Sequence, residues 1–341
     1  MVYSFKNDYS EGAHPRVYEA LQHTNTEQAE GYGEDVFCEE AARLLREISE
    51  SDAEVAFVPG GTQANLLLIS HALRPYEAVI SPETGHINGH ECGAVEATGH
   101  KILNLPSENG KLRAPQIAEA LREYDSPQVV APRLVYISQA SDLGTVYTRD
   151  ELAAISEVCR ANGLYLYVDG ARIANALAAE RGLTLVDVAR FSDAFTVGGT
   201  KNGFLFGEAL VIPNAELARN IRHSQKQRGA MLAKGRVIGA QFAAMLRDGL
   251  YFELAEHAND MALLLRDGLS PLGIQFACQS PTNLQFPIFS EVIADKLSED
   301  YGFHVVGRDA PGRVTVRLVT SWATGETPVR GFVEAVREAL R

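Results

Sequence analysis

Asp193-Ala194-Phe195-Thr196-Val197-Gly198-Gly199-Thr200-Lys201-Asn202-Gly203 is an apolar run that ends in two glycines, with one lysine two residues further on. Glycine lets a backbone come close to a bound group and take dihedrals that other residues avoid. A lysine just past a strand end, in apolar surroundings, has its charged form disfavoured and its amine turned toward nucleophilic chemistry. Such an amine can hold an aldehyde as a Schiff base. Taken alone, the segment reads more readily as a glycine-rich turn with a solvated lysine, so the flanking chain has to decide.

Working outward, the pattern is one of alternation. Strands are expected near 54–58, 78–80, 101–105, 133–139, 164–168 and 194–197, with helices between them. One helix should span 36–49, with Phe37, Ala41, Leu44, Leu45 and Ile48 on one face. Another opens at Thr62 as its cap, and Thr148 with Glu151 offers a capping box for a third. Residues 5–16 read as an irregular arm, in which His14-Pro15 breaks any helix. Past about residue 214 two long helices are expected, at 230–247 and 251–268. A smaller α/β pattern follows, with strands at 273–277 and 314–319 and a last helix from Pro328. The fold class is therefore α/β: a mostly parallel central sheet in a large domain (1–247, including the arm) plus a small C-terminal α/β domain (248–341). In such a sheet ligands gather outside the carboxyl ends of the strands.

Those ends carry the candidate chemistry. Gly60-Gly61-Thr62 opens a helix and forms an anion cup from backbone N–H groups, the helix dipole and a hydroxyl, or else is only a capped helix. It is neither a Walker A loop nor a dinucleotide fingerprint. Asp169 ends the apolar run 164–168; buried there, it needs a cation or a donor, either a protonated pyridine nitrogen or Arg172 nearby. His86 and His90 stand four residues apart beside Glu91, so a metal comes into question. The segment is not HExxH and no cysteine–histidine cluster accompanies it, so no metal site is expected. His86 suits stacking on a planar cofactor, and His90 suits the surface. A phosphate cup, a ring-nitrogen partner, a stacking ring and an amine together meet the needs of pyridoxal 5'-phosphate.

The 341 residues carry a formal charge of −13, which argues against nucleic acid or an anionic membrane as the main partner. No apolar run approaches a membrane span, and no signal-peptide pattern opens the chain. Four scattered cysteines without CxxC pairing suggest reduced thiols and a cytoplasmic location.

In order and spacing, Asn7-Asp8, Gly31-Tyr32-Gly33 with Asp35 and Cys38, Gly60 through Asn65, Gly85-His86-Ile87 through Ala94, Val168 through Arg172, Lys201, and Val316 through Trp322 resemble the L-threonine aldolase family. That family lies in the β-eliminating-lyase group of fold-type-I pyridoxal-phosphate enzymes, and the likeness covers nearly the whole chain. It implies that Lys201 carries the cofactor, Asp169 holds its ring nitrogen and His86 stacks on the ring. It implies that Gly60, Gly61 and Thr62 hold the phosphate, and that Arg172 and Arg317, with Asn7 nearby, hold the carboxylate of a small amino-acid substrate. It further implies a homo-oligomer, a dimer of dimers with shared active sites, in which Lys226 or Arg228 could reach a neighbour's phosphate. Both could equally be a solvated helix face.

Two departures stand out. Asn7 falls where the family has serine, and no histidine lies between His100 and His223. Gln128, in the loop before the strand at 133–139, takes the place expected for a second active-site histidine. The expected reaction is retro-aldol cleavage of L-threonine or L-allo-threonine to glycine and an aldehyde. His86 is the expected base, and a different β-eliminating lyase or an aminotransferase is the alternative.

Overall fold

A computed structural model describes residues 2–341. Strand β1 (Tyr3–Ser4) stands apart from the central sheet. That sheet is built from β2 (Glu54–Val58), β3 (Glu77–Pro82), β4 (Lys101–Leu105), β5 (Ala131–Ser138), β6 (Tyr165–Asp169), β7 (Ala194–Gly198) and β8 (Glu208–Ile212). Their order is β2-β8-β7-β6-β5-β3-β4, with only β8 antiparallel to its neighbours. Alternate residues feed the two faces. Val135, Ile137, Leu166, Val168, Phe195 and Val197 pack into one core, while Leu134, Tyr136, Tyr167 and Ala194 pack into the other. A sheet covered on both faces by helices is the expected solution for near-continuous apolar strands.

The C-terminal part holds β9 (Gln275–Phe276), β10 (Leu284–Gln285), β11 (Pro287–Ser290), β12 (Tyr301–Gly302), β13 (His304–Ala310) and β14 (Arg313–Val319). All but β12 form one antiparallel sheet around β14, closed by the helix Glu326–Ala339. Strand β12 pairs instead with β1, and Phe5 packs in the core of this C-terminal layer. The first residues of the chain therefore bridge to the far end of the sequence.

The helix Val36–Ser49 is capped by Asp35, which accepts from the Phe37 and Cys38 amides, and the capping box of Thr148 and Glu151 forms. Two local expectations need correcting. Pro15 does not break a helix but begins one, Pro15–Thr24, because a first-turn position asks for no N–H. Thr62 does not cap its helix, which spans Gly61–Ala72 and is led by Gly60 without a side-chain cap, so Thr62 sits exposed in the first turn.

Candidate active site

The carboxyl-terminal ends of β5, β6 and β7, the start of β8 and the first turn of the helix Gly61–Ala72 border a cavity of about 520 Å³. Gly60, Gly61, Thr62, His86, Asp169 and Lys201 all line it. So do Asn7 and Arg172, and Arg317 reaches it from β14. Residues from across the chain thus meet in one place. Arg228 does not line the cavity; its backbone carbonyl accepts from Gln63 Nε2 at 2.9 Å. Lys226 lies over the Tyr32 ring, 4.2 Å from its centre.

At the helix end, a Cβ built on Gly60 or Gly61 would meet no atom within 4 Å. The space over the uncapped first turn is open, as a helix-bound anion requires.

Asp169 is the last residue of β6 and only 6% exposed. Its Oδ2 accepts from the Tyr136 hydroxyl at 2.6 Å and from Asn65 Nδ2 at 3.1 Å, and Oδ1 accepts from the Ala171 amide at 3.0 Å. Arg172 is not its partner. That guanidinium is held along one edge by Asp8, Nε to Oδ2 at 2.6 Å and Nη2 to Oδ1 at 3.1 Å. Asn283 Nδ2 also donates to Asp8, at 2.9 Å. Burial opposes the charge on Asp8, but Arg172 and then Lys201 outweigh it and hold the carboxyl below its usual range.

Asn65 also donates to Glu91 Oε1 at 2.7 Å and accepts from the Tyr167 hydroxyl at 2.7 Å. Glu91 Oε1 in turn meets His86 Nδ1 at 2.8 Å. Burial disfavours the His86 cation, yet the Glu91 hydrogen bond and the carboxylates of Asp142 and Asp169 raise its pKa. His90 stands at the rim of the cavity, its ring 5.5 Å from that of His86. Among the described residues no three His, Cys, Asp or Glu side chains are grouped to hold a metal ion.

Lys201 follows β7, where a Cβ on Gly198 would overlap the Ala171 carbonyl, so the glycine allows β6 and β7 to end side by side. Burial and then the Arg172 charge push the lysine's pKa down, against the pull of Asp8, Asp169 and Asp142. The amine is thereby tuned for nucleophilic work. Arg317 has a buried Nε with no acceptor among the described residues. Burial and Arg172 lower its pKa, so an incoming anion would relieve both.

Two cavity carboxylates escaped the sequence reading. Glu208 begins β8, the antiparallel strand that no local pattern announced; burial raises its carboxyl to about 8, and its Oε2 accepts from the Gly199 amide at 3.2 Å. Asp142 lies in the turn after β5. The expected counterpart, Gln128, is exposed in the loop before β5 and does not line the cavity. That loop precedes the strand and so sits at the opposite, amino-terminal edge of the sheet.

Residues 9–291 match the family model described as beta-eliminating lyase. A low-specificity L-threonine aldolase of a Pseudomonas species is 34% identical over 98% of this chain and 97% of its own. The solved structure of a Leishmania major threonine aldolase superposes with a TM-score of 0.98, at 47% identity over 99% of this chain and all of its own. A Thermus thermophilus aspartate aminotransferase shares the fold at a TM-score of 0.75 and 17% identity, over 99% of this chain and 91% of its own. The mostly parallel α/β architecture is thus the fold-type-I scaffold that lyases and aminotransferases have in common, and the site must decide between them. With the family model spanning most of its length, this chain belongs to the beta-eliminating lyase family.

Proposed function

We propose that this protein cleaves a β-hydroxy-α-amino acid, L-threonine or L-allo-threonine, to glycine and an aldehyde with pyridoxal 5'-phosphate as cofactor. The observation that carries the reading is the meeting of Lys201, Asp169 and the acceptor-free Arg317 in one cavity beside an uncapped helix end. The residues fit the cofactor. The amides of the first turn, with Thr62, would hold its phosphate, Asp169 its ring nitrogen, His86 its face and Lys201 its aldehyde carbon. When bound, the cofactor supplies an electron sink for bonds broken at Cα.

The chain's own residues set which bond breaks. Arg317 binds the substrate carboxylate, and Arg172, one edge already given to Asp8, presents what remains of its donor fork beside it. Holding the carboxylate fixes which Cα substituent stands where cleavage is favoured. Glu91 locks His86 in place through Nδ1 and leaves Nε2 free. The relatives favour the lyase over the aminotransferase reading, since the two reported at 34% and 47% identity are threonine aldolases and the aminotransferase stands at 17%. Shared sites in a dimer of dimers are part of the proposal, with Arg228, which does not line its own chain's cavity, left to reach a neighbour's phosphate. A cytoplasmic location, consistent with four free cysteines, is another part.

The test combines a spectrum with an assay. Purified protein with cofactor should be yellow, release glycine from L-threonine or L-allo-threonine, and retain the cofactor on Lys201 after borohydride reduction, as read by mass spectrometry. Lys201→Ala should abolish release. Keto-acid in place of glycine, or an adduct on another lysine, would overturn the reading.

A further inference from the structure

Three carboxylates line the cavity, and they differ in one respect. Asp169 is met by three donors, and Glu208 by the Gly199 amide and the Thr200 hydroxyl. Asp142 has no hydrogen bond and no ion pair among the described residues, and its Oδ2 is shut off from solvent. A buried carboxylate oxygen left without a donor is costly and calls for an explanation.

The backbone that carries it is not loose. The Gly144 amide donates to the Ser141 carbonyl at 2.8 Å, closing a turn with Asp142 and Leu143 at its centre. Ser141 Oγ accepts from the Leu143 and Thr145 amides and shares a 2.7 Å hydrogen bond with Thr145 Oγ1. From the C-terminal part, the Ser280 and Thr282 hydroxyls both donate to the Gly144 carbonyl at 3.1 Å. Gly144 itself has φ +73, and a Cβ there would strike Ser280. The turn is braced from both parts of the chain, so Asp142 is held in place rather than left over.

Its surroundings say what it is held for. The field of Asp142 acts on Lys201, His86, Arg172 and Arg317, the groups that would hold cofactor and substrate. We infer that Asp142 is the group that accepts the substrate's β-hydroxyl proton, a role the sequence assigned to His86. This rests on the retro-aldol reading above. As the Cα–Cβ bond breaks, the hydroxyl proton passes to Asp142 and the β-carbon becomes the aldehyde carbonyl. The electron pair stays with the glycine half, which takes up one proton at Cα, so no acid or base is consumed overall. His86 suits the task less well, since its Nδ1 is bound to Glu91 and its raised pKa favours the cation.

The test uses the enzyme loaded with cofactor and two reactions. Cleavage of threonine needs a hydroxyl acceptor; exchange of the glycine α-proton with deuterated water does not. Asp142→Asn is expected to lower kcat for cleavage about a hundredfold. Glycine exchange should stay within about twofold, and Asp142→Ala should behave alike, with neither variant melting below the wild type. Equal losses in cleavage and exchange, or loss of cleavage in His86→Phe but not in Asp142→Asn, would overturn the assignment. A wild type that exchanges glycine but cleaves no β-hydroxy amino acid would instead overturn the reaction itself, and Asp142's role with it.

Discussion

The two edges of the central sheet treat charge in opposite ways. At the amino-terminal edge, Arg133 lies over the Tyr165 ring at 4.5 Å and donates to the Gly163 carbonyl, Glu77 accepts from the Arg74 amide, and Gln128 faces solvent. Each polar group there has water or an ordinary partner. At the carboxyl-terminal edge Asp169 and Glu208 are 6% and 4% exposed, and across the cavity Arg317 keeps a buried donor unmet. Buried and poorly paired charges cost stability, and they gather where chemistry needs them. The difference teaches that strand direction, more than residue type, separates working groups from structural ones in this fold.

The contrast is sharpest at Arg317, where the largest of these effects is expected. Arg317→Lys should raise KM for the amino-acid substrate and lower kcat/KM roughly thirtyfold, equivalent to about 2 kcal/mol, because an ammonium cannot reproduce the planar fork. Thermal stability should hold, since Arg317 Nε satisfies no acceptor in the protein. Steady-state kinetics beside a melting curve checks both. Unchanged kinetics would mean that Arg317 is an ordinary strand arginine and that its side of the cavity is not special.

Much of this edge was legible in the sequence because each element ends in a residue that lines the cavity. Asp169 closes an apolar strand, Lys201 follows a glycine pair, and Gly60-Gly61 opens a helix, so local pattern and place in the cavity coincide. What stayed hidden depends on contacts distant in sequence. Asp8 and Arg172 are 164 residues apart, and nothing local announces their pairing. Glu208 was missed with its strand, because a short buried run such as Glu208–Ile212 has no period to betray it. Asp142 sits in a polar turn whose role emerges only when Ser280 and Thr282 arrive to brace it. Pro15 was misjudged for a different reason: the same ring that stops a helix inside is welcome at its first turn.

Glu208 offers a subtler test, read in stability rather than turnover. Its carboxyl titrates near 8 in the folded protein against an ordinary 4.5. Between those values the folded state keeps a proton that the unfolded chain has released, so this group's contribution to stability falls as pH rises from about 4.5 to about 8 and then levels off. Glu208→Gln removes the ionisation. In cofactor-free protein the variant should match the wild type at the acid end and melt higher above about pH 8. Parallel melting curves at every pH would show that Glu208 is already ionised in the fold and that burial at this edge is less costly than argued.

The smallest effect is expected at the other edge. Gln128 stands where the family likeness implies a second active-site histidine, yet it precedes β5, and the residues after β5 are the ones that meet the cavity. Its backbone amide donates to Ser126 Oγ at 3.3 Å, which ties down the loop without involving its side chain. An exposed side chain of this kind contributes within about 0.5 kcal/mol. Gln128→Ala should therefore leave kcat, KM and melting temperature close to those of the wild type. A marked fall in kcat would be informative in a specific way. Within one chain the loop lies at the far edge of the sheet, so such a loss would have to come from this loop completing the site of a neighbouring copy. Mixing Gln128→Ala chains with Lys201→Ala chains would then decide the matter, because shared sites restore part of the activity in the mixed assembly and separate sites do not.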